Sequence, residues 1–335
     1  MNLIIYPPTL DWAYMKQRPQ QLMKQFADEG NIVYYCNQTQ IKKDTEKIAS
    51  NLYLVHDFEA FTKSYLPILR NEMKIPVGIW CSWPKLASEL SVIKADWIIY
   101  DCVDEFASMQ KYEKDMIGIS SAVVCTAHRI YDRLRKAYPE KELALIPNAY
   151  DATMLAHKSL PCPKVSPMPP QIGYIGAWAP WVNEKLITKL ARALPDCEII
   201  IIGVEFDRKF TLHQVENIRY FGHLPHEELK NHLEKFKICI IPFKLTPVTL
   251  ATNPVKMYEY LASGKPVVST GLPECIFHSN LIDVAHSTND FIQKVKYRLK
   301  EPGDTQARID FALANTWNDR AKQATRLIDS LKRGD

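Results

Sequence analysis

The densest chemistry in this sequence lies in Thr249-Leu-Ala-Thr-Asn-Pro-Val-Lys-Met-Tyr-Glu-Tyr-Leu-Ala-Ser-Gly-Lys-Pro-Val-Val-Ser-Thr270. Thr252 or Asn253 can cap a helix, Pro254 suits its first position, and Gly264 can end it before a strand that opens at Pro266. The first amides of a helix lack partners and its dipole is positive there, so such a start attracts an anion. Lys256 in the first turn is electrostatically out of place unless an anion is bound, which points to a phosphate held around Asn253, Pro254, Val255 and Lys256. Glu259, one turn on, can accept hydrogen bonds from sugar or ribose hydroxyls. On spacing alone, a routine helix with a solvated Lys and Glu accounts for the same residues.

The elements that would position this stretch follow from periodicity. The chain has 335 residues, about two domains' worth, with an ordinary globular composition of 47% apolar and 24% charged residues. A net charge of +4 gives no reason to expect a nucleic-acid partner. The eight cysteines, Cys36, Cys81, Cys102, Cys125, Cys162, Cys197, Cys239 and Cys275, contain no CxxC pair, and several sit in apolar runs. They read as buried reduced thiols rather than a zinc site or a disulfide framework. The chain opens directly on a strand-like run without a signal-peptide pattern, and no apolar run is long enough to span a bilayer. A cytoplasmic protein is expected, with contact at the inner face of the membrane left open.

Short apolar strands are expected at 2–6, 31–36, 52–55, 77–81, 97–100, 122–125 and 143–146, and again at 171–175, 198–202, 218–221, 238–242 and 266–269. Helices fall between them, at 19–28, 182–194, 225–236 and 254–262, and 289–332 is helical by periodicity. This alternation predicts an α/β protein with parallel sheets covered on both faces. Five prolines between Leu160 and Pro170 interrupt it with a stiff extended linker. The predicted organisation is an N-terminal Rossmann-like domain over 1–160, a Pro-rich linker over 161–170, a C-terminal Rossmann-like domain over 171–315 and a terminal helix over 316–335. Ligands bind at the carboxyl ends of such strands, so the site is expected in a central cleft that the two domains face.

Glu259-Tyr-Leu-Ala-Ser-Gly-Lys-Pro-Val-Val-Ser-Thr270 resembles the donor-binding segment of GT-B glycosyltransferases of the group 1 (family 4) kind, E-A-x-A-x-G-x-P-V-V-x-T. Asn217-Ile-Arg-Tyr-Phe-Gly-His-Leu-Pro-His-Glu-Glu-Leu229 resembles the stretch whose loop faces the nucleobase, and Lys237-Ile-Cys-Ile-Ile-Pro-Phe243 the following strand. Ile146-Pro-Asn-Ala-Tyr-Asp151 is similar to I-P-N-G-V-D before the interdomain linker, and Trp317-Asn-Asp-Arg320 to the W-x-x-R that opens the terminal helix, which in GT-B enzymes crosses back to the N-terminal domain. The similarity is greatest to a bacterial branch that includes teichuronic-acid-type and other cell-surface polysaccharide transferases. It implies a retaining, metal-independent transfer from a nucleoside-diphosphate sugar, UDP by family habit, to a glycan, lipid-linked or protein acceptor, with no cofactor beyond that co-substrate. The donor pocket would then be lined by Gly176, Ala177 and Trp178, by Gly222, His223 and Leu224, and by Phe243, with the segment from Thr252 through Asn253, Pro254 and Val255 to Lys256 on the diphosphate and Glu259 on the ribose.

Two features of the pattern are missing. The first glutamate of the family's E-x7-E pair falls on Ala251, and the Arg and Lys that grip the diphosphate are not evident in Gly176-Ala-Trp-Ala-Pro-Trp-Val-Asn-Glu184. Lys256 would neutralise phosphate instead, aided by Arg18 at the start of the first helix, where the family's glycine-rich loop is replaced by Pro7-Pro-Thr-Leu-Asp-Trp-Ala-Tyr-Met-Lys-Gln-Arg-Pro19. On the acceptor side, Tyr100-Asp-Cys-Val-Asp-Glu-Phe106 places Asp101 and Asp104 after a strand, and Asp104 could orient or deprotonate an acceptor hydroxyl. His128, just after the strand at 122–125, is a further candidate there. An aspartate capping the next helix accounts for Asp104 equally well, and a surface helix histidine accounts for His128 better than an acceptor contact does. The missing groups also leave open a degenerate binding or scaffold protein, and an epimerase of sugar nucleotides shares the fold.

Overall fold

The alternation of strands and helices condenses into two sheets, each with its own core. The computed structural model describes residues 1–43, 45–158 and 169–332. Of the linker expected at 161–170, residues 161–168, and with them Cys162, lie outside the described residues.

The first unit comprises Met1–Asn148 and the chain's end from Trp317. Its strands are β1 (Leu3–Tyr6), β2 (Ile32–Cys36), β3 (Glu46–Ala49), β4 (Leu52–Val55), β5 (Val77–Cys81), β6 (Trp97–Cys102), β7 (Ala122–Cys125) and β8 (Glu142–Leu145). They lie in the order β3-β4-β2-β1-β5-β6-β7-β8. Every pair is parallel except β3 with β4. The second unit, Ala149–Thr316, holds β9 (Gln171–Ile175), β10 (Glu198–Ile202), β11 (Ile218–Tyr220), β12 (Phe236–Ile241), β13 (Val267–Thr270) and β14 (Asp283–Ala285), in the order β11-β10-β9-β12-β13-β14. This is the Rossmann order of a doubly wound sheet, with its switch point between β9 and β12; in the first unit the switch lies between β1 and β5. β3 and β14 are absent from the sequence reading. β3 carries no apolar run, and β14 is three residues long, so neither presents a strand period.

The strand interiors are buried on both faces, as Ile199, Ile200, Ile201 and Ile202 in β10 show. The seven described cysteines are buried and form no disulfide with one another. Burial pushes Cys81, Cys125 and Cys275 up to about 12, so they stay protonated thiols within the packing.

The last helix, Trp317–Leu331, belongs to the first unit and packs along the helix Arg18–Asp28. Asn318 Nδ2 reaches Gln25 Oε1 at 3.4 Å, and Thr325 Oγ1 donates to Glu29 at 2.8 Å. A buried ion pair fixes the start of the first helix. Arg18 is 4% exposed and Asp101 is 2% exposed. Arg18 Nε and Nη2 donate to the two carboxylate oxygens at 2.8 and 3.0 Å, while Nη1 donates to the Pro147 carbonyl and Asn148 Oδ1 at 3.2 and 3.3 Å. Trp80 Nε1 adds a third bond to Asp101 at 2.9 Å, and the guanidinium stacks 5.9 Å from the Trp317 ring centroid. One fork thus joins β5, β6, the first helix, the turn after β8 and the last helix.

Arg18 and Asp101, expected on a phosphate and beside an acceptor, are therefore spent on each other, because the strand end and helix start converge under cover of Trp80 and Trp317. Removing one partner strands a buried charge, which costs about 3–5 kcal/mol. Arg18→Met should lower the urea midpoint of the first unit accordingly, and Arg18→Met with Asp101→Leu should recover part of it. An unchanged midpoint in the single variant would contradict this framework role.

Candidate functional site

In the second unit the chain turns repeatedly at the carboxyl ends of β9, β10, β11 and β12, and backbone bonds stitch the turns together. Gly176 N–H donates to the Ile202 carbonyl at 2.8 Å, Gly203 N–H to the Gly222 carbonyl at 2.7 Å, and Trp178 N–H to the Val204 carbonyl at 2.7 Å. Gly203 takes φ +152°, and a Cβ there would stand 1.9 Å from the Gly176 carbonyl oxygen, so only glycine lets the two turns approach. Gly222 also needs its positive φ of +66° to turn the chain after β11.

Across the switch point, β12 leads through Phe243 and a short helix, Pro247–Leu250, into the helix Val255–Ala262. Pro254 occupies the N-cap position rather than the first turn, and no side chain caps the helix. Thr252 Oγ1 donates back to the Val248 carbonyl at 2.9 Å, and Asn253, buried, donates to Glu274 Oε2 at 2.8 Å. The N-cap position expected of Thr252 or Asn253 is therefore held by Pro254. Lys256 stands in the first turn, and its Nζ lies 2.6 Å from Glu259 Oε2. Glu259 is 3% exposed, while about a quarter of the Lys256 side chain (27%) is open to solvent. Glu259, which the routine-helix alternative would leave solvated, is a covered carboxylate neutralised from one side. The geometry leaves Lys256 as the half-open member, at the end of the helix whose amides have no side-chain cap.

The remaining candidates divide by burial. Gly176, Ala177, Gly222, Leu224 and Phe243 are half-buried, and His223 is exposed. Phe243 meets the Tyr174 ring edge-on at 6.3 Å, and its carbonyl accepts from Thr270 Oγ1 at 2.8 Å. Trp178 departs from its expected place in the lining. It is fully buried, packs edge-on against Phe210 at 4.8 Å and donates from Nε1 to the Lys209 carbonyl at 3.2 Å, because the turn after β9 folds its ring into the core.

Sequence reasoning missed several neighbours. Glu274, 1% exposed, brings a second covered carboxylate behind the helix start through Asn253. Its only sequence signal is a place one turn past β13. Lys244, just beyond β12, donates to the Pro180 carbonyl at 2.5 Å, and burial together with Arg208 and Lys185 lowers its pKa. These three bases come from separate elements, so no spacing pattern could show that they converge. Tyr150 in the Ile146–Asp151 motif is fully buried, accepts from Ala156 N–H at 2.8 Å and is pushed up to about 12, chiefly by burial. Glu259 contributes to that shift, and Tyr150 shares a buried cluster with Met257 and Tyr258 of the helix Val255–Ala262.

In the first unit, Asp104 lies half-buried in the turn between β6 and the helix Ala107–Ile119, whose N-cap is Phe106. His128 is half-buried in the first turn of the helix His128–Ala137. Buried Glu105 and the helix residue Glu113 are clamped by one guanidinium. Arg133 Nη1 and Nη2 donate to Glu113 at 2.7 and 2.8 Å, and Arg133 Nε donates to Glu105. Among the described residues no group of three or more His, Cys, Asp or Glu is placed to hold a metal ion. No helix of the described residues is long and apolar enough to cross a membrane.

Residues 169–301 match the family model "Glycosyl transferases group 1". The chain is 26% identical over 274 residues to a Bacillus subtilis (strain 168) protein assigned by name to teichuronic acid biosynthesis as the glycosyltransferase TuaH, covering 72% of this chain and 68% of that protein. Among solved structures it is similar to a sucrose-phosphate synthase from Thermosynechococcus elongatus, with a TM-score of 0.78 at 13% identity over 100% of both chains. It is also similar to Anabaena HepE in complex with UDP and glucose, with a TM-score of 0.67 at 11% identity over 98% of this chain and 99% of that one. Two Rossmann-ordered sheets and a last helix that returns to the first of them give the chain a GT-B fold, and its second unit is similar to glycosyltransferases of group 1, with one relative named for teichuronic acid biosynthesis.

Proposed function

We propose that the second unit binds a nucleoside-diphosphate sugar and that the enzyme transfers the sugar, with retention at the anomeric carbon and without a metal ion, to a hydroxyl of a cell-surface glycan or its lipid-linked precursor. The observation that carries this reading is the start of the helix Val255–Ala262, uncapped by any side chain, beside the switch point, with Lys256 in its first turn. Helix amides and a cation at that place suit a diphosphate. The naming of relatives for teichuronic acid biosynthesis and for a complex with UDP and glucose supports both substrate classes. A cytoplasmic enzyme working at the inner membrane face fits such acceptors.

The reaction breaks the bond between the sugar's anomeric carbon and the β-phosphate oxygen, and forms one to the acceptor oxygen, which gives up its proton. Negative charge grows on the departing diphosphate. The Val255 and Lys256 amides and the Lys256 ammonium would stabilise it without reorganising. Glu259 orients that ammonium and offers its other oxygen to the ribose. Gly176, Ala177, Gly222, His223, Leu224 and Phe243 would line the nucleoside. Asp104, in the first unit, would orient the acceptor hydroxyl or take its proton. Arg18 and Asp101 hold the first unit's framework, and Trp178 backs the nucleoside turn from the core.

A second reading rests on Ala251, which is fully buried where the family pattern carries its first glutamate. A scaffold that binds nucleotide but does not turn over would explain that loss, and a transfer assay separates the two.

Lys256→Ala should weaken nucleoside-diphosphate binding by about 1–3 kcal/mol, the worth of a charge-assisted hydrogen bond. Because Glu259 is then left unpaired, the variant should also melt lower. Adding Glu259→Gln should restore the melting temperature but not the affinity, read by calorimetry with UDP, GDP and dTDP. Wild-type affinity in Lys256→Ala would refute the diphosphate assignment. Asp104→Asn should reduce transfer about 10²–10⁴-fold, the span of general acid–base catalysis, while sparing donor affinity. A fall in donor affinity would refute its acceptor-side role.

A further inference from the structure

Three hydroxyls in series lead out of the first unit's core at its own switch point. The strand order reverses there between β1 and β5; Tyr6 is the last residue of β1, and Ser82 follows the last residue of β5. Thr9 Oγ1 donates to the Tyr6 phenol oxygen, and the Tyr6 and Ser82 hydroxyls meet at 2.6 Å. Thr9 and Tyr6 are buried and Ser82 is half-buried, so the series starts under cover and ends partly open.

The direction of the bonds follows from their chemistry. Burial pushes the Tyr6 phenol well up, so it keeps its proton. Its oxygen already accepts from Thr9, and a phenol is a stronger acid than an alcohol, so the phenol proton goes to Ser82 Oγ. Ser82 therefore accepts, and its own proton has no acceptor among the described residues. Hydroxyls bonded in series polarise one another, which makes the last of them a better donor. A serine open on one side is ordinary. Ser82 is set apart by the buried hydroxyls behind it and by how it is held. Trp83 N–H donates to Cys81 Sγ and Cys81 Sγ to the Trp83 carbonyl, both at 3.4 Å, which closes the turn around Ser82. The Tyr6 ring stacks on Tyr35 at 4.8 Å, and the Tyr35 hydroxyl donates to the Leu10 carbonyl at 2.9 Å, which secures the loop that carries Thr9. β5 pairs with β6, with Cys81 opposite Tyr100, so Ser82 stands at the strand end next to the turn that bears Asp104. Ligands of such sheets sit at this rim.

We infer that Ser82 is a binding residue for the acceptor sugar, its Oγ–H donating to an oxygen beside the attacking hydroxyl, with Tyr6 and Thr9 as the positioning residues that orient it. A donor on the attacking oxygen itself would draw electron density from the nucleophile, so the contact belongs to a neighbouring oxygen. The inference rests on the reading of the first unit as the acceptor side, and it deepens that reading by naming a residue that grips the acceptor there.

The test uses the full chain saturated with UDP and three probes, the methyl glycosides of glucose, galactose and N-acetylglucosamine. Their binding is read by saturation-transfer NMR titration, which needs no turnover. For the probe that binds most tightly, Ser82→Ala should raise Kd about three- to tenfold, the worth of one hydrogen bond, with UDP affinity within twofold of wild type. Ser82→Thr, which keeps the hydroxyl, should stay within twofold. Tyr6→Phe should weaken the probe in the wild-type background and add nothing in the Ser82→Ala background, because its effect runs through Ser82; a merely structural tyrosine would add its cost in both. If Tyr6→Phe does not fold, the Ser82→Ala and Ser82→Thr arms still decide. Binding of no probe, wild-type Kd in Ser82→Ala, or additive effects of the two substitutions would overturn the assignment. Transfer from UDP-glucose to the same probes, run alongside, reads the underlying assignment separately. Transfer with a Kd indifferent to Ser82 faults Ser82 alone, whereas Ser82-dependent binding without transfer counts against the transferase reading and leaves the contact standing.

Discussion

In parallel sheets covered on both faces, the carboxyl ends of the strands are where the chain must turn into the next helix and where backbone groups need partners outside the ladder. Both sheets obey this constraint, and both fork where the strand order reverses, between β1 and β5 and between β9 and β12. The turns at the second fork are tied by backbone bonds among the segments that begin at Gly176, Gly203 and Gly222. What they leave unfilled is the start of the helix Val255–Ala262, where no side chain supplies a cap.

Charge burial sorts the ionisable groups into framework and chemistry. Arg18 and Asp101 are both almost wholly covered and saturate each other with help from Trp80, Pro147 and Asn148. Such a pair contributes little net stability, yet it costs much to break and so fixes where helices begin. Lys256 and Glu259 form a pair of a different kind, with the carboxylate covered and the ammonium partly open. An incoming diphosphate meets a cation already held in position, which lowers the ordering cost of binding.

Much of the fold was legible because its signals are local. Apolar runs such as Ile199–Ile202 and the proline and glycine that bracket the helix Val255–Ala262 mark elements without reference to anything distant. β3 and β14 were not legible because they are short and paired at sheet edges, where tertiary contacts rather than periodicity make a strand. The site was legible in its loops and less so in its side chains. Lys256 and Glu259 emerge from helical spacing, but that Glu259 is covered while Lys256 stays partly open is set by tertiary packing, which spacing does not show. The Arg18–Asp101 contact spans 83 positions, and neither residue's neighbours along the chain announce it. Trp178 looked like lining because it follows a strand end, whereas packing against Phe210 drew it inward.

The central claim is that the donor's diphosphate sits on the amides that begin the helix Val255–Ala262. Hydrogen–deuterium exchange of the full chain with and without saturating UDP reads those amides directly. The account predicts slowed exchange at residues 255–257, with a smaller effect in the turns at 176–178 and 222–224. Saturation by UDP with no change at 255–257, or with protection confined to the first unit, would contradict it.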